Sequence, residues 1–240
     1  MATRNVHEIE ITTPDSPPEF LYRAIEEEAH ARAFASGESA RVKILDCYRT
    51  IEDDARRDES EGSYKAKIFQ EIEVVRTGNK SGETNGSSFQ DGHLNVHSSS
   101  GNPTFVLCMA GTNVDLGYLR KEMGQYVVKI SDPDQLVNDV VAALYPSPLK
   151  NCSAYAVELA PVSYNKGEVD TLPDDPNDRR LEIARRSCLQ KPAKYELEQE
   201  QRLVIKFLPP RKELKGDEHF SLSLENASDY CEVLDPSTSS

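Results

Sequence analysis

The stretch that decides the reading is Lys191 to Phe207, KPAKYELEQEQRLVIKF, closed by Pro209-Pro210. Its second half, Leu203, Val204, Ile205 and Phe207, is β-branched and aromatic and favours a strand. Residues two apart in a strand share a face. That places Glu198, Glu200 and Arg202 along one face, about 6.6 Å between successive Cα atoms, while Leu203, Ile205 and Phe207 turn into a core. Neighbouring carboxylates raise one another's pKa and an adjacent guanidinium lowers it, so such a trio can be tuned for proton transfer or for holding a cationic transition state. The competing reading is a charged helix, in which Glu198 and Arg202 form an i,i+4 pair.

Outward from this stretch short strands and short helices are mixed along the chain. His7 to Thr12 reads as a strand before the break PDSPP, and Phe20 to Ile25 as a strand or the entry of a helix. Glu26 to Ser36 consists of helix formers, with Gly37 at the place of a C-terminal cap. Val42, Ile44 and Leu45 form a strand, and Phe105 to Met109, FVLCM, has the length and polarity of a buried one. Gln125 to Ile130 is another strand. Asp132-Pro133 supplies an N-cap and a first-turn proline for a helix through Leu144, whose Leu136, Val140, Val141 and Leu144 share a face. Tyr155 to Val162 is again a strand and Arg179 to Cys188 a helix. Ala66 to Arg76 is ambiguous between helix and strand. Without regular β-α alternation, the expected fold is α+β: a mixed, mostly antiparallel sheet with packed helices.

One domain over 1–240 is expected, with a long flexible loop or insertion at about 77–103, where Gly, Ser and Asn dominate, and a disordered tail at about 235–240. The net charge of -13 opposes a broad nucleic-acid footprint. The five cysteines are odd in number and form no C-x-x-C pair, which fits reduced thiols in the cytoplasm. The start MATRNVHEIEITTPDSPP lacks the apolar core of a signal peptide, and no apolar run has the length of a membrane span. A cytoplasmic protein without membrane contact is expected. His93 and His97 stand without a nearby Cys, so no metal site is assigned to them.

The pattern K-x3-Y-x2-E-x-E-x-R of Lys191, Tyr195, Glu198, Glu200 and Arg202 resembles the C-terminal motif of a large uncharacterised bacterial family, often encoded near abortive-infection (phage-defence) genes. That family usually has Trp at the aromatic position; this chain has Tyr195 and no Trp. The block ILDCYRTIEDDARRDESEG, with Tyr48, Arg49, Glu52, Asp53, Arg57, Asp58, Glu61 and Gly62, resembles its N-terminal motif, and FVLCM stands where its members carry a Phe-Cys strand. The resemblance implies a bacterial defence or toxin-like role and a partner protein encoded nearby.

An E-x-E opening a late strand, an early Arg and an apolar strand between them are also similar to the layout of ADP-ribosyltransferases. This second resemblance implies an ADP-ribosyltransferase-like form of the α+β fold, NAD as the donor and a protein or nucleic-acid acceptor of ADP-ribose. Glu200 would hold the ribose 2'-hydroxyl and stabilise the oxocarbenium-like charge, and Glu198 would orient or deprotonate the acceptor. Arg23 or Arg49 would hold the pyrophosphate, Tyr48 would stack on nicotinamide, and Arg202 completes the cofactor-binding set. The chain departs from that pattern in having no Ser-Thr-Ser after an apolar strand; CMAGTN offers Thr112 alone. Two other classes stay open. A metal-dependent nuclease would draw on Asp53, Asp54, Asp58 and Glu61 with Glu198 and Glu200, and a non-catalytic antitoxin, sensor or interaction module would use the E-x-E-x-R face as an interface.

Overall fold

In the computed structural model, residues 9–45, 104–149, 152–164, 188–208 and 219–235 are described with their side chains, and a few further segments by the backbone of their strands. In chain order the elements are β1 (Ala2–Val6), β2 (Ile9–Thr13), β3 (Leu21–Ile25), α1 (Glu28–Ala35), β4 (Ala40–Ile44), β5 (Ser63–Lys67), β6 (Ile72–Arg76), β7 (Asn85–Phe89), β8 (His93–His97) and β9 (Thr104–Ala110). There follow α2 (Leu116–Glu122), β10 (Tyr126–Ile130), α3 (Pro133–Ala143), β11 (Ser153–Pro161), β12 (Ser163–Asn165) and β13 (Gln190–Pro192). A 3-10 helix (Ala193–Glu198), β14 (Glu200–Leu208), β15 (His219–Leu222), a helical turn (Ala227–Tyr230) and β16 (Cys231–Leu234) complete the set.

The fold is α+β, built on a ten-stranded sheet that runs β1-β2-β11-β14-β9-β3-β10-β16, with β4 joining β9 to β15. Only the β11–β2 pairing in it is parallel; the others are antiparallel. One edge of β9 is fully paired with β14, Glu200 standing opposite Ala110 and Arg202 opposite Cys108. The other edge is shared: β3 meets it at Ala110 through Tyr22, and β4 meets it at Val106 and Phe105. The sheet therefore forks along β9, and this fork positions the site.

The faces of β14 follow the two-residue period. Leu203, Ile205 and Phe207 are fully buried on one face, in the main core with Leu107, Leu159 and Leu21. That core is closed by Ala31 and Phe34 of α1 and by Leu136, Val137, Val140, Val141 and Leu144 of α3. Phe105, Phe207 and Phe220 meet edge to face, with centroids 4.8 to 5.8 Å apart. Each large apolar side chain buried here contributes about 1.5–3 kcal/mol of transfer free energy. On the opposite face Val204 packs with Val106, Ala160, Cys188 and Leu189.

The helix signals act as the sequence implies. Asp132 caps α3 by accepting from the Gln135 N–H at 2.9 Å, with Pro133 in the first turn. Gly37 ends α1 at φ 78°, and a Cβ there would lie 1.9 Å from the Leu224 carbonyl oxygen. Phe20 to Ile25 resolves as strand, and Ile72–Arg76 resolves the helix-or-strand ambiguity in favour of strand.

The segment 77–103, read from composition as a loop or insertion, holds β7 and β8. These pair with β6 and β5, so that two antiparallel pairs lie nested between β4 and β9 as sheets of their own. The residues at 236–240 and most of the expected helix 179–188 lie outside the described residues. No helix among the described residues is long and apolar enough to cross a membrane.

Candidate active site

The carboxylate segment is built from three pieces rather than one strand. Pro192, at φ -58° and ψ 146°, ends β13 and starts the 3-10 helix. Tyr195, buried, anchors that helix under the ammonium groups of Lys191 and Lys194, 4.9 and 4.6 Å from the ring centroid. Gln199 then adopts the left-handed conformation, φ 43° and ψ 45°, and its carbonyl accepts from Gly111 N–H at 2.8 Å. This single reversal corrects the all-strand expectation: Glu198 ends the 3-10 helix and Glu200 begins β14. It also removes the helical alternative, because Arg202 pairs with Glu200 and not with Glu198 through an i,i+4 contact.

Four buried charges result. Lys191 Nζ donates to Glu198 Oε2 at 2.7 Å and lies 2.8 Å from Glu200 Oε2. Arg202 Nε donates to Glu200 Oε1 at 2.7 Å, and its Nη1 donates to the Cys188 carbonyl at 2.8 Å. Arg202 is 1% exposed, Glu198 3% and Glu200 5%. Unpaired charges at such depth would be costly, and mutual pairing is what permits them.

The two carboxyls are driven apart. Burial raises the Glu200 pKa, but the Arg202 guanidinium, then Lys191, and the hydrogen bonds from both outweigh it and hold the group below the usual carboxylate range. For Glu198 burial is again the largest influence. Lys191 opposes it, Glu200 reinforces it, and the carboxyl is pushed up to about 7. Lys191 stays protonated: burial would lower its pKa, yet Glu200 and Glu198 together raise it. Glu200 has two cationic partners and Glu198 one, so Glu198 is the member of the pair that carries the exchangeable proton.

This cluster forms one wall of a cavity of about 230 Å³ in the fork of the sheet. The opposite wall comes from β3 and β4. Arg23 spans the gap between them, donating from Nη1 to the Cys108 carbonyl at 2.9 Å and from Nη2 to the Arg41 carbonyl at 3.2 Å. Its guanidinium also lies 5.3 Å from the centre of the Phe34 ring. Arg41 and Lys43 add two cations to the lining, and Cys108, Met109 and Leu119 add softer surface. Tyr118 of α2 stands near enough to Glu198 that, after burial, the glutamate is the next cause of its raised pKa.

Of the residues expected from the sequence, Glu198, Glu200, Arg202 and Arg23 line this one cavity. Tyr48 and Arg49, and the acidic residues Asp53, Asp54, Asp58 and Glu61, lie outside the described residues. The geometry sharpens three roles. Arg202, expected as a ligand-binding group, has Nε and Nη2 directed to Glu200 and Nη1 to Cys188, which makes it a positioning residue. Thr112 donates its hydroxyl to the Phe20 carbonyl at 3.0 Å, away from this cavity's lining. Lys191, the head of the motif, lies between Glu198 and Glu200 and pairs with both.

Arg41 and Lys43 were not singled out from the sequence. Their signal was the alternation Ala40-Arg41-Val42-Lys43-Ile44, in which two cations share the face opposite buried Val42. Among the described residues, no three His, Cys, Asp or Glu side chains converge in a way that would hold a metal ion. In comparisons with protein-family models, curated proteins and solved structures, nothing matched the chain.

Proposed function

We propose that the forked-sheet cavity binds NAD and that the protein transfers ADP-ribose to a macromolecular acceptor, in the defence or toxin-like setting that the sequence resemblance implies. The observation carrying this reading is the charge layout of one cavity. A carboxyl poised near neutrality and an ionised carboxylate face a rim of three cations, Arg23, Arg41 and Lys43. The cations suit a pyrophosphate. The volume of about 230 Å³ falls below the roughly 300–1,000 Å³ of pockets that enclose drug-sized ligands. It suits the nicotinamide-ribose end, with the phosphates held at the rim.

The bond from ribose C1' to nicotinamide nitrogen breaks, its electron pair leaving with nicotinamide, and a bond from C1' to the acceptor nucleophile forms. Glu200, kept ionised by Arg202 and Lys191, faces the positive charge that develops on the ribose. Glu198 takes the proton that the acceptor loses, a task suited to a group whose pKa lies near the working pH. The two glutamates thus take separate roles, set by the unequal number of cations around them.

The test is release of nicotinamide from labelled NAD by the purified chain, in the presence of extracts from uninfected and phage-infected bacteria. Glu198→Gln is expected to lower the rate by about 10²–10⁴-fold, the usual range for general acid–base groups. The rate should be unchanged by a chelator. Absence of nicotinamide release in every extract, or a Glu198→Gln protein as active as the parent, would overturn the reading.

A further inference from the structure

The Glu198 carboxyl and the cations of the rim belong to one enclosed space. Lys191, Glu198, Glu200 and Arg202 form one wall, and Arg23, Arg41 and Lys43 stand across from them. A cavity of about 230 Å³ is only about 8 Å across if round, so a ligand anywhere in it lies within a Debye length of Glu198. Burial weakens the screening further.

A single proton changes the charge of the wall. With both carboxyls ionised, Glu198 and Glu200 balance Lys191 and Arg202. Once Glu198 is protonated, the same four side chains carry one net positive charge, which adds to that of the rim and strengthens its hold on an anion. The place of Glu198 suits it to this exchange. It is buried, and its partner Lys191, at 2.7 Å, is shared with Glu200 at 2.8 Å. Glu200 keeps Arg202 as well, at 2.7 Å. From the other elements packed here, Tyr118 of α2 and Tyr164 of β12 stand within reach of the Glu198 charge, and burial, the largest cause for each, keeps their hydroxyls protonated. Burial, against the pull of Lys191, pushes the Glu198 carboxyl up to about 7, so it is the member of the wall that titrates near neutrality.

We propose that the cavity takes up a proton on Glu198 together with its anion, so that anions of the phosphate or sulfate class bind more tightly as the solution is acidified through neutrality. The effect is reciprocal: the bound anion favours the protonated carboxyl as much as the proton favours the anion. This linkage rests on the anion-holding part of the proposed function and not on NAD chemistry. Within that function it sets donor binding against proton acceptance, because the form of Glu198 that best holds the anion is the one that cannot take the acceptor's proton.

Isothermal calorimetry with sulfate, which stays fully ionised over this range, tests it. Sulfate should bind the parent chain at least about fivefold more tightly at about pH 6 than at about pH 8, the lower end of ordinary coupling between two binding events. Titrations near neutrality in two amine buffers of different ionisation enthalpy should differ in heat as net proton uptake requires. Glu198→Gln, which mimics the protonated carboxyl, should bind sulfate at both pH values as tightly as the parent does at the lower one, without proton uptake. His219 Nδ1 lies 3.2 Å from Arg41 Nη2, so this histidine is a second group able to gain a proton beside the rim. His219→Gln should leave the uptake in place. Should Glu198→Gln fail to fold, the pH ratio of the parent and the uptake of His219→Gln decide. Equal sulfate affinity at the two pH values, no saturable sulfate binding, undiminished uptake by Glu198→Gln or its loss in His219→Gln would overturn the proposal. Nicotinamide release together with pH-independent sulfate binding would sink the linkage alone, and pH-linked sulfate binding without nicotinamide release would sink the NAD reading alone.

Discussion

At the scale of residues, the site is governed by the uneven sharing of two cations between two carboxyls. Glu198, raised from 4.5 to about 7, is protonated more readily in the folded than in the unfolded chain. Its contribution to stability is complete below pH 4.5 and is lost as pH rises toward 7. Glu200 has the opposite sign: its lowered pKa gives stability that is present above pH 4.5 and lost as the solution is acidified below it. Urea denaturation across pH should therefore show parental stability falling between pH 4.5 and 7 relative to Glu198→Gln. A difference between the two proteins that stays constant over that window would refute the assignment. Lys191→Met should be more damaging, because it leaves two buried carboxyls facing each other. A loss of about 3–5 kcal/mol is expected for breaking a buried pair on one side. Adding Glu198→Gln should recover part of it, measured by the same denaturation curves.

At the scale of elements, reversals and caps decide where side chains go. Gln199 turns the chain so that Glu198 and Glu200 border one cavity, although they belong to different elements. Gly37 brings α1 against Leu224, whose N–H donates to the Gly37 carbonyl at 2.8 Å. Gly37→Ala combines a positive φ with a backbone clash and should cost more than about 1 kcal/mol, read as a lower urea midpoint at unchanged slope.

Asp139 is the other element-scale anchor. Buried on α3, it accepts from Gln135, from the Asn226 backbone and side chain, and from the Tyr230 hydroxyl, at 2.7 to 3.0 Å. Asp139→Ala should release the Ala227–Tyr230 turn from α3 and raise hydrogen exchange there before the rest of the sheet opens. Unchanged protection of that turn would show that its apolar contacts alone hold it.

At the scale of the molecule, an acidic chain of net charge -13 gathers Arg23, Arg41 and Lys43 at one cavity. On the proposed reading, such a local field favours a small anion over a long polyanion, which would also meet the acidic surroundings. If the cavity binds NAD as proposed, the double variant Arg41→Gln, Lys43→Gln should keep the parental fold and lose at least about tenfold in NAD affinity by calorimetry, the loss shrinking as salt is added. An undiminished affinity would refute the proposed role of these cations in holding the pyrophosphate. The sequence by itself determined the strand character of Leu203 to Phe207, the cap of α3, the α+β class and the chemical types at the site, because these depend on side-chain period and local backbone preference. Only the tertiary structure decided that β9 is shared between β3 and β4, that Arg23 spans the resulting fork, and that Gln199 sets Glu198 beside Lys191. Those arrangements join residues as far apart in the chain as Arg23 and Arg202, and no local pattern encodes which strand takes which part of a shared edge.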